Sequence, residues 1–80
     1  MKTVYLLQST SDPSQRYIGI TTNLTARLAA HNAGQSPHTA KHRPWKLITA
    51  IHFTDAEKAD AFEQYLKTGS GFAFANKRLW

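Results

Sequence analysis

Thr3-Val4-Tyr5-Leu6-Leu7, then Ser9-Thr10-Ser11-Asp12-Pro13-Ser14-Gln15, then Arg16-Tyr17-Ile18-Gly19-Ile20: two short β-prone runs flank a stretch dense in turn formers. The pattern predicts a β-hairpin. Alternation along each run places Tyr5 and Leu7 on one face of the first strand, and Tyr17 with Gly19 on one face of the second. Gly19 has no side chain, so another group can approach the sheet closely there.

Working outward from the hairpin, Thr21-Thr22-Asn23 offers cap residues ahead of Leu24-Thr25-Ala26-Arg27-Leu28-Ala29-Ala30-His31-Asn32, with Gly34 as a stop. A polar, basic loop follows from Gln35 to Arg43. Pro44 to Phe53 then has the β-branched and aromatic content of a third strand. Thr54-Asp55-Ala56-Glu57 has the form of a capping box, in which Thr54 and Glu57 satisfy each other's backbone, and predicts a second helix to about Thr68, ended by Gly69. Ser70 then caps a last short helix from Gly71 to about Leu79, with Phe72, Phe74 and Trp80 closing the core. The order β-β-α-β-α-α implies an α/β chain of the α+β kind, a three-stranded, mainly antiparallel sheet flanked by three helices.

The composition sets the limits. Eighty residues hold one domain, 1–80, with a single core. The hydrophobic share of 41% is too high for a disordered chain. The absence of cysteine removes disulfides, thiolate catalysis and iron–sulfur clusters. No stretch approaches the roughly 20 apolar residues of a membrane span or the form of a signal peptide, so the expectation is a cytoplasmic protein with no membrane partner. A formal charge of +5 and a pI near 9.9 favour a polyanionic partner, although many basic small domains bind nothing in particular.

The most informative residues are those that break a pattern. The inward stripe of the first helix runs Leu24, Arg27, Leu28, His31, and a guanidinium and an imidazole cost several kcal/mol to bury unless something satisfies them. In the second helix the stripe runs Ala59, Phe62, Glu63, Leu66, and Glu63 is its one carboxylate. A half-buried carboxylate facing a sheet suits Mg²⁺ or Mn²⁺, which takes one or two carboxylates and keeps several waters. An Arg27–Glu63 ion pair between the helices is an equal alternative. Tyr5 and Tyr17 bring phenol hydroxyls that can donate to a phosphate or accept from water, although tyrosines also fill sheets routinely.

In this combination the chain resembles the GIY-YIG nuclease superfamily, whose two strand motifs are followed by a catalytic Arg, usually a His one turn later, and a metal-binding Glu. The first motif is degenerate here, Thr3-Val4-Tyr5, keeping only the Tyr; the second is intact as Tyr17-Ile18-Gly19. Arg27 lies ten residues beyond Tyr17, followed by His31, with Glu63 on the next long helix. His31-Asn32-Ala33-Gly34 and His42-Arg43-Pro44-Trp45-Lys46-Leu47 are similar to the small stand-alone bacterial branch, and Asn76 stands where the family has a late Asn.

The resemblance implies a compact domain that hydrolyses phosphodiesters with one divalent metal ion, Mg²⁺ or Mn²⁺, held by Glu63. Arg27 would clamp a phosphate oxygen and stabilise developing charge. Tyr5 would contact or deprotonate the attacking water, with Tyr17 beside it. A phenol with a pKa near 10 needs a helper at neutral pH, and His31 is placed to be one. Gly19, Lys41, His42, Arg43, Lys46 and Asn76 are the candidate substrate contacts, the basic loop following a nucleic-acid backbone and Trp45 belonging to the core.

The implied partner is nucleic acid, DNA before RNA, with room for a protein partner that supplies specificity. Two rival readings stand beside the endonuclease: a binding module that keeps the fold without cutting, and an interaction protein in which Arg27, His31 and Glu63 form an internal polar network.

Overall fold

Five consecutive side chains, Thr3 to Leu7, are buried, which requires a central strand covered on both faces. The computed structural model describes residues 1–80. Strand β1 (Lys2–Ser9) pairs antiparallel with β2 (Arg16–Thr21) on one side and with β3 (Trp45–Phe53) on the other, giving the order β2-β1-β3. The hairpin forms as expected, and both pairings are antiparallel.

The alternation of β1 sorts the helices into two layers. Val4 and Leu6 join Ala59, Leu66 and Ala75, with Ile18 and Ile20 of β2 packed alongside. This face carries α2 (Ala56–Leu66) and α3 (Gly69–Arg78). Tyr5, Leu7 and Trp45 form the other cluster with Tyr17, Leu24 and Leu28, so α1 (Leu24–Asn32) lies on the opposite face. Each fully buried aliphatic side chain contributes about 1.5–3 kcal/mol, and two such faces share the load that a cysteine-free chain must carry by packing.

Helix α1 starts and stops as the sequence predicts. The Asn23 side chain accepts from the Ala26 backbone N–H at 3.1 Å, and Gly34 takes a φ of +80° just beyond the end. The basic loop includes a short 3₁₀ turn, Ala40–His42.

Three local expectations are corrected. Asp55, not Thr54, caps α2, accepting from the N–H groups of Glu57 (2.9 Å) and Lys58 (3.2 Å). Its short carboxylate reaches two orphan donors and complements the helix dipole, so the cap moves one residue on and, with Lys58 at the third helical position, no capping box forms. Helix α2 ends at Leu66 and Thr68 caps α3, its hydroxyl accepting from the Gly71 N–H at 3.2 Å, so Ser70 is already helical. Gly71 is pressed against the Tyr65 carbonyl, leaving no space for a Cβ. Finally, Phe72 is 62% exposed and Phe74 38%, so Ala75 and Leu79 take their place beside the expected Trp80 in closing this layer. Gly71, pressed against α2, and Ala75, four residues on, form the inward face of α3, which leaves the phenylalanines outside it.

Candidate active site

The site starts from a cross-strand pair. Tyr5 is directly opposite Gly19, and a Cβ at position 19 would collide with the Tyr5 phenol and approach the Tyr17 ring. Glycine there is what allows the Tyr5 ring to lie across the neighbouring strand. Ring centroids of Tyr5 and Tyr17 are 6.2 Å apart, and His31 of α1 stands 5.9 Å from Tyr5 and 4.9 Å from Tyr17.

A buried polar chain runs through this cluster. The Tyr5 hydroxyl is 3.0 Å from His31 Nε2, and His31 Nδ1 is 2.8 Å from Thr39 Oγ1. The Thr39 hydroxyl in turn donates to the Ser36 carbonyl at 3.4 Å. Tyr5, His31 and Thr39 are each no more than 1% exposed, and no buried side-chain polar atom is left without a partner. This satisfaction is what makes a buried imidazole tolerable in the core.

Arg27 projects from the same face of α1, one turn before His31, and is exposed on the solvent side of the two phenols. Its interaction with Tyr5, and less strongly with Tyr17, raises the guanidinium above its usual pKa. Burial pushes the Tyr5 phenol up, and Arg27 partly offsets the shift. Burial, followed by the Arg27 charge, holds His31 below 6.5, so the ring is neutral at physiological pH.

Glu63 belongs to α2, which packs against β1 and β2, and its half-buried carboxylate pairs with Lys67 one turn along its own helix rather than with Arg27. A single hard carboxylate with no cluster of three His, Cys, Asp or Glu side chains suits an ion that keeps most of its waters, as Mg²⁺ does, and does not suit zinc.

Other candidate residues are dispersed. Lys41 and His42 lie in the 3₁₀ turn next to Thr39. Arg43 donates to the Ala40 carbonyl at 2.7 Å, and its guanidinium lies against Gly34, so it braces the loop. Lys46 is exposed on β3, an edge strand. Asn76, on α3, accepts from Arg16 at 3.1 Å, and Arg16 also lies over the Trp80 ring at 4.7 Å.

Trp45 is 5% exposed, a core residue as expected. Two contributors escaped the sequence reading. Asn32 makes a two-way bridge to the Trp45 backbone, accepting from its N–H at 2.6 Å and donating to its carbonyl at 3.1 Å. Thr39 completes the His31 chain, and a hydroxyl in an irregular loop carries no periodic signal that would mark it.

Residues 1–77 match the model of the GIY-YIG catalytic domain, and the chain therefore belongs to the GIY-YIG family, a family of nucleases. It is similar to a UPF0213 protein of Streptococcus pneumoniae, 44% identical over 52 residues that cover 64% of this chain and 52% of the relative. A UPF0213 protein of Staphylococcus haemolyticus is 40% identical over 55 residues, covering 68% of this chain and 67% of the relative. A fungal relative, the structure-specific endonuclease subunit slx1 of Talaromyces marneffei, is 42% identical over 65 residues, 74% of this chain but 17% of that protein. The chain thus spans about half of the streptococcal relative and a small part of the fungal one.

Proposed function

We propose that this domain is a metal-dependent endonuclease that hydrolyses phosphodiester bonds in DNA, with a preference for branched or otherwise non-linear structure. The observation that supports it most is the gathering of Tyr5, Tyr17, Arg27 and His31 at one point on the sheet, with the cation on the solvent side. A phosphate approaching from solvent meets Arg27 first, whose fork binds a non-bridging oxygen and stabilises charge as the transition state forms. The positive net charge favours that approach.

Exposure divides the labour between the phenols. Tyr5 is 1% exposed, so direct contact with the attacking water falls to the half-buried Tyr17, which replaces the simpler assignment of that contact to Tyr5. Tyr5 and neutral His31 stand behind as an acceptor chain: the phenol gives its hydrogen to Nε2 while its oxygen accepts from in front. Glu63 is the residue that would hold the divalent ion, Mg²⁺ or Mn²⁺. That ion supplies Lewis acidity toward the phosphate and the leaving oxygen. Lys41, His42 and Lys46 would follow the backbone of the substrate, whereas Arg43 and Asn76 act first on the protein itself, bracing the loop and holding Arg16.

The degenerate first motif does not argue for an inactive module. Val4 is directed into the α2–α3 core, away from the site, and the Thr3 hydroxyl is 2.5 Å from His52 Nδ1, so the two departures leave Tyr5 in place. The preference for structured DNA and for a protein partner rests on the printed name of the fungal relative, an endonuclease subunit.

The test is incubation with branched, nicked and linear DNA and with RNA, in Mg²⁺ or Mn²⁺ and then in EDTA. Cleavage of branched DNA that is lost on chelation and in folded Arg27→Ala and Glu63→Ala supports the proposal. Tight binding without cleavage by the unmodified chain points to a binding module instead.

A further inference from the structure

Thr39 lies in an irregular loop, yet it is 1% exposed and more firmly held than its neighbours. Its backbone N–H donates to the Ser36 carbonyl at 3.2 Å, and its own carbonyl accepts from Trp45 Nε1 at 2.8 Å and from the His42 N–H at 3.2 Å. Trp45 is itself anchored through Asn32, at the end of the helix that carries His31. These contacts hold the Thr39 hydroxyl at one spot, 2.8 Å from His31 Nδ1.

The direction of the hydrogen-bond chain is set from both ends, by charge at Tyr5 and by the Thr39 hydroxyl at the other. Arg27 stands beside the Tyr5 hydroxyl, and a cation turns the phenol oxygen toward itself and the phenol hydrogen away. The Thr39 end of the chain points the same way: its hydroxyl donates to the Ser36 carbonyl, so Oγ1 accepts from His31 Nδ1, and Nε2, 3.0 Å from the Tyr5 hydroxyl, presents a lone pair. A neutral imidazole has one hydrogen, so it sits on Nδ1 and is donated to Thr39 Oγ1. The threonine hydrogen goes to the Ser36 carbonyl, and every member of the chain has a partner. In the reverse direction Thr39 would give its hydrogen to Nδ1 and lose its bond to the Ser36 carbonyl.

We propose that Thr39 is a positioning residue that holds His31 as its Nδ1–H tautomer, keeping Nε2 free to accept from Tyr5. Its kinetic consequence rests on the nuclease reading; the tautomer itself does not. Thr39 acts as the second partner that orients a functional imidazole from behind, and removing such a partner characteristically costs about 10-fold to 100-fold.

The experiment is ¹⁵N NMR of the histidine rings in the full chain, without substrate, for the unmodified protein, Thr39→Ser and the near-isosteric Thr39→Val. A pyrrole-like Nδ1 and a pyridine-like Nε2 at His31 are expected in the unmodified protein and in Thr39→Ser. Thr39→Val is expected to lose that preference. An Nε2–H ring in the unmodified protein, or an unaltered tautomer in folded Thr39→Val, overturns the proposal. Should Thr39→Val fail to fold, the spectra of the other two decide.

In single-turnover cleavage, Thr39→Val should be slower by about 10-fold or more with KM little changed, and Thr39→Ser should stay within about threefold of the unmodified rate. An unchanged rate in a variant whose tautomer has shifted overturns its part in the chemistry. Absence of cleavage by the unmodified chain sinks the nuclease reading and leaves the tautomer to be judged by NMR alone.

Discussion

The ring of Tyr5 occupies the space that a side chain at Gly19, its partner on the neighbouring strand, would need. The two positions form one device: a tyrosine can reach His31 because the residue opposite has nothing to obstruct it. Gly19→Ala should therefore displace the phenol and break its bond to His31. Overpacking of this kind costs about 1–3 kcal/mol of stability, measurable by urea unfolding. Cleavage by the folded fraction should fall further than that loss explains. A variant with full activity and a Tyr5 ring in its original position would contradict this account.

Arg27 separates chemistry from stability. It is exposed and lies outside both apolar clusters, so Arg27→Ala should leave the melting temperature within a few degrees of the original. On the proposed reading its removal lowers the cleavage rate about 10²-fold to 10³-fold, in line with the loss of a charge-stabilising donor. Equal losses of stability and rate would assign it a structural task.

For His31 the pH dependence has a definite sign. Its folded pKa is held below 6.5, so the unfolded chain binds the proton more readily. The stability it contributes is complete above about pH 6.5 and is lost as pH falls through the folded value. Thermal melts between pH 7 and 4.5 should therefore show a decline that is shallower in His31→Gln. The same protonation would remove the acceptor for Tyr5, placing the acid limb of the rate profile below pH 6.5. An unchanged rate and pH profile in His31→Ala would exclude the histidine from the reaction.

Glu63 and Lys67 make a prediction about metal. The ammonium shares the carboxylate that the divalent ion would use, and it is largely exposed, so it should compete only weakly. Lys67→Met should lower the Mn²⁺ concentration for half-maximal rate by no more than about fivefold. Glu63→Ala should abolish the metal-dependent rate with the fold intact by circular dichroism. Metal-dependent cleavage that survives Glu63→Ala would move the metal elsewhere.

Asn32 is expected to matter for folding alone. Its amide satisfies both backbone groups of Trp45 where α1 meets β3. Asn32→Ala should cost about 1–3 kcal/mol through the orphaned partners, read from denaturant midpoints. Asn32→Asp keeps the acceptor and should recover part of the loss.

Much of the architecture was legible in the chain because local rules and tertiary packing agree. The turn-rich segment between two β-prone runs closes as a hairpin, and alternation grouped Tyr5 with Leu7 and Tyr17 with Gly19, which the strand pairing then brought to one face. Asn23 and Gly34 marked the ends of α1 through side-chain capping and a left-handed backbone. Prediction failed where local options were nearly equal in energy. Thr54 and Asp55 could each cap α2, as Thr68 and Ser70 could each cap α3, and close packing at Gly71 and Ala75 left Phe72 and Phe74 outside the core.

The amino-acid sequence by itself determined the element order, the hairpin and the identity of an arginine and a histidine too polar for the stripe they occupy. These are matters of nearest neighbours and periodicity. Tertiary structure decided that β1 is the central strand, that α1 and α2 lie on opposite faces, that Glu63 answers to Lys67 rather than Arg27, and that a loop threonine completes the histidine's bonding. Those outcomes depend on which surfaces are left to cover once the sheet has formed, and on buried polar atoms finding partners in three dimensions, which no spacing along the chain encodes.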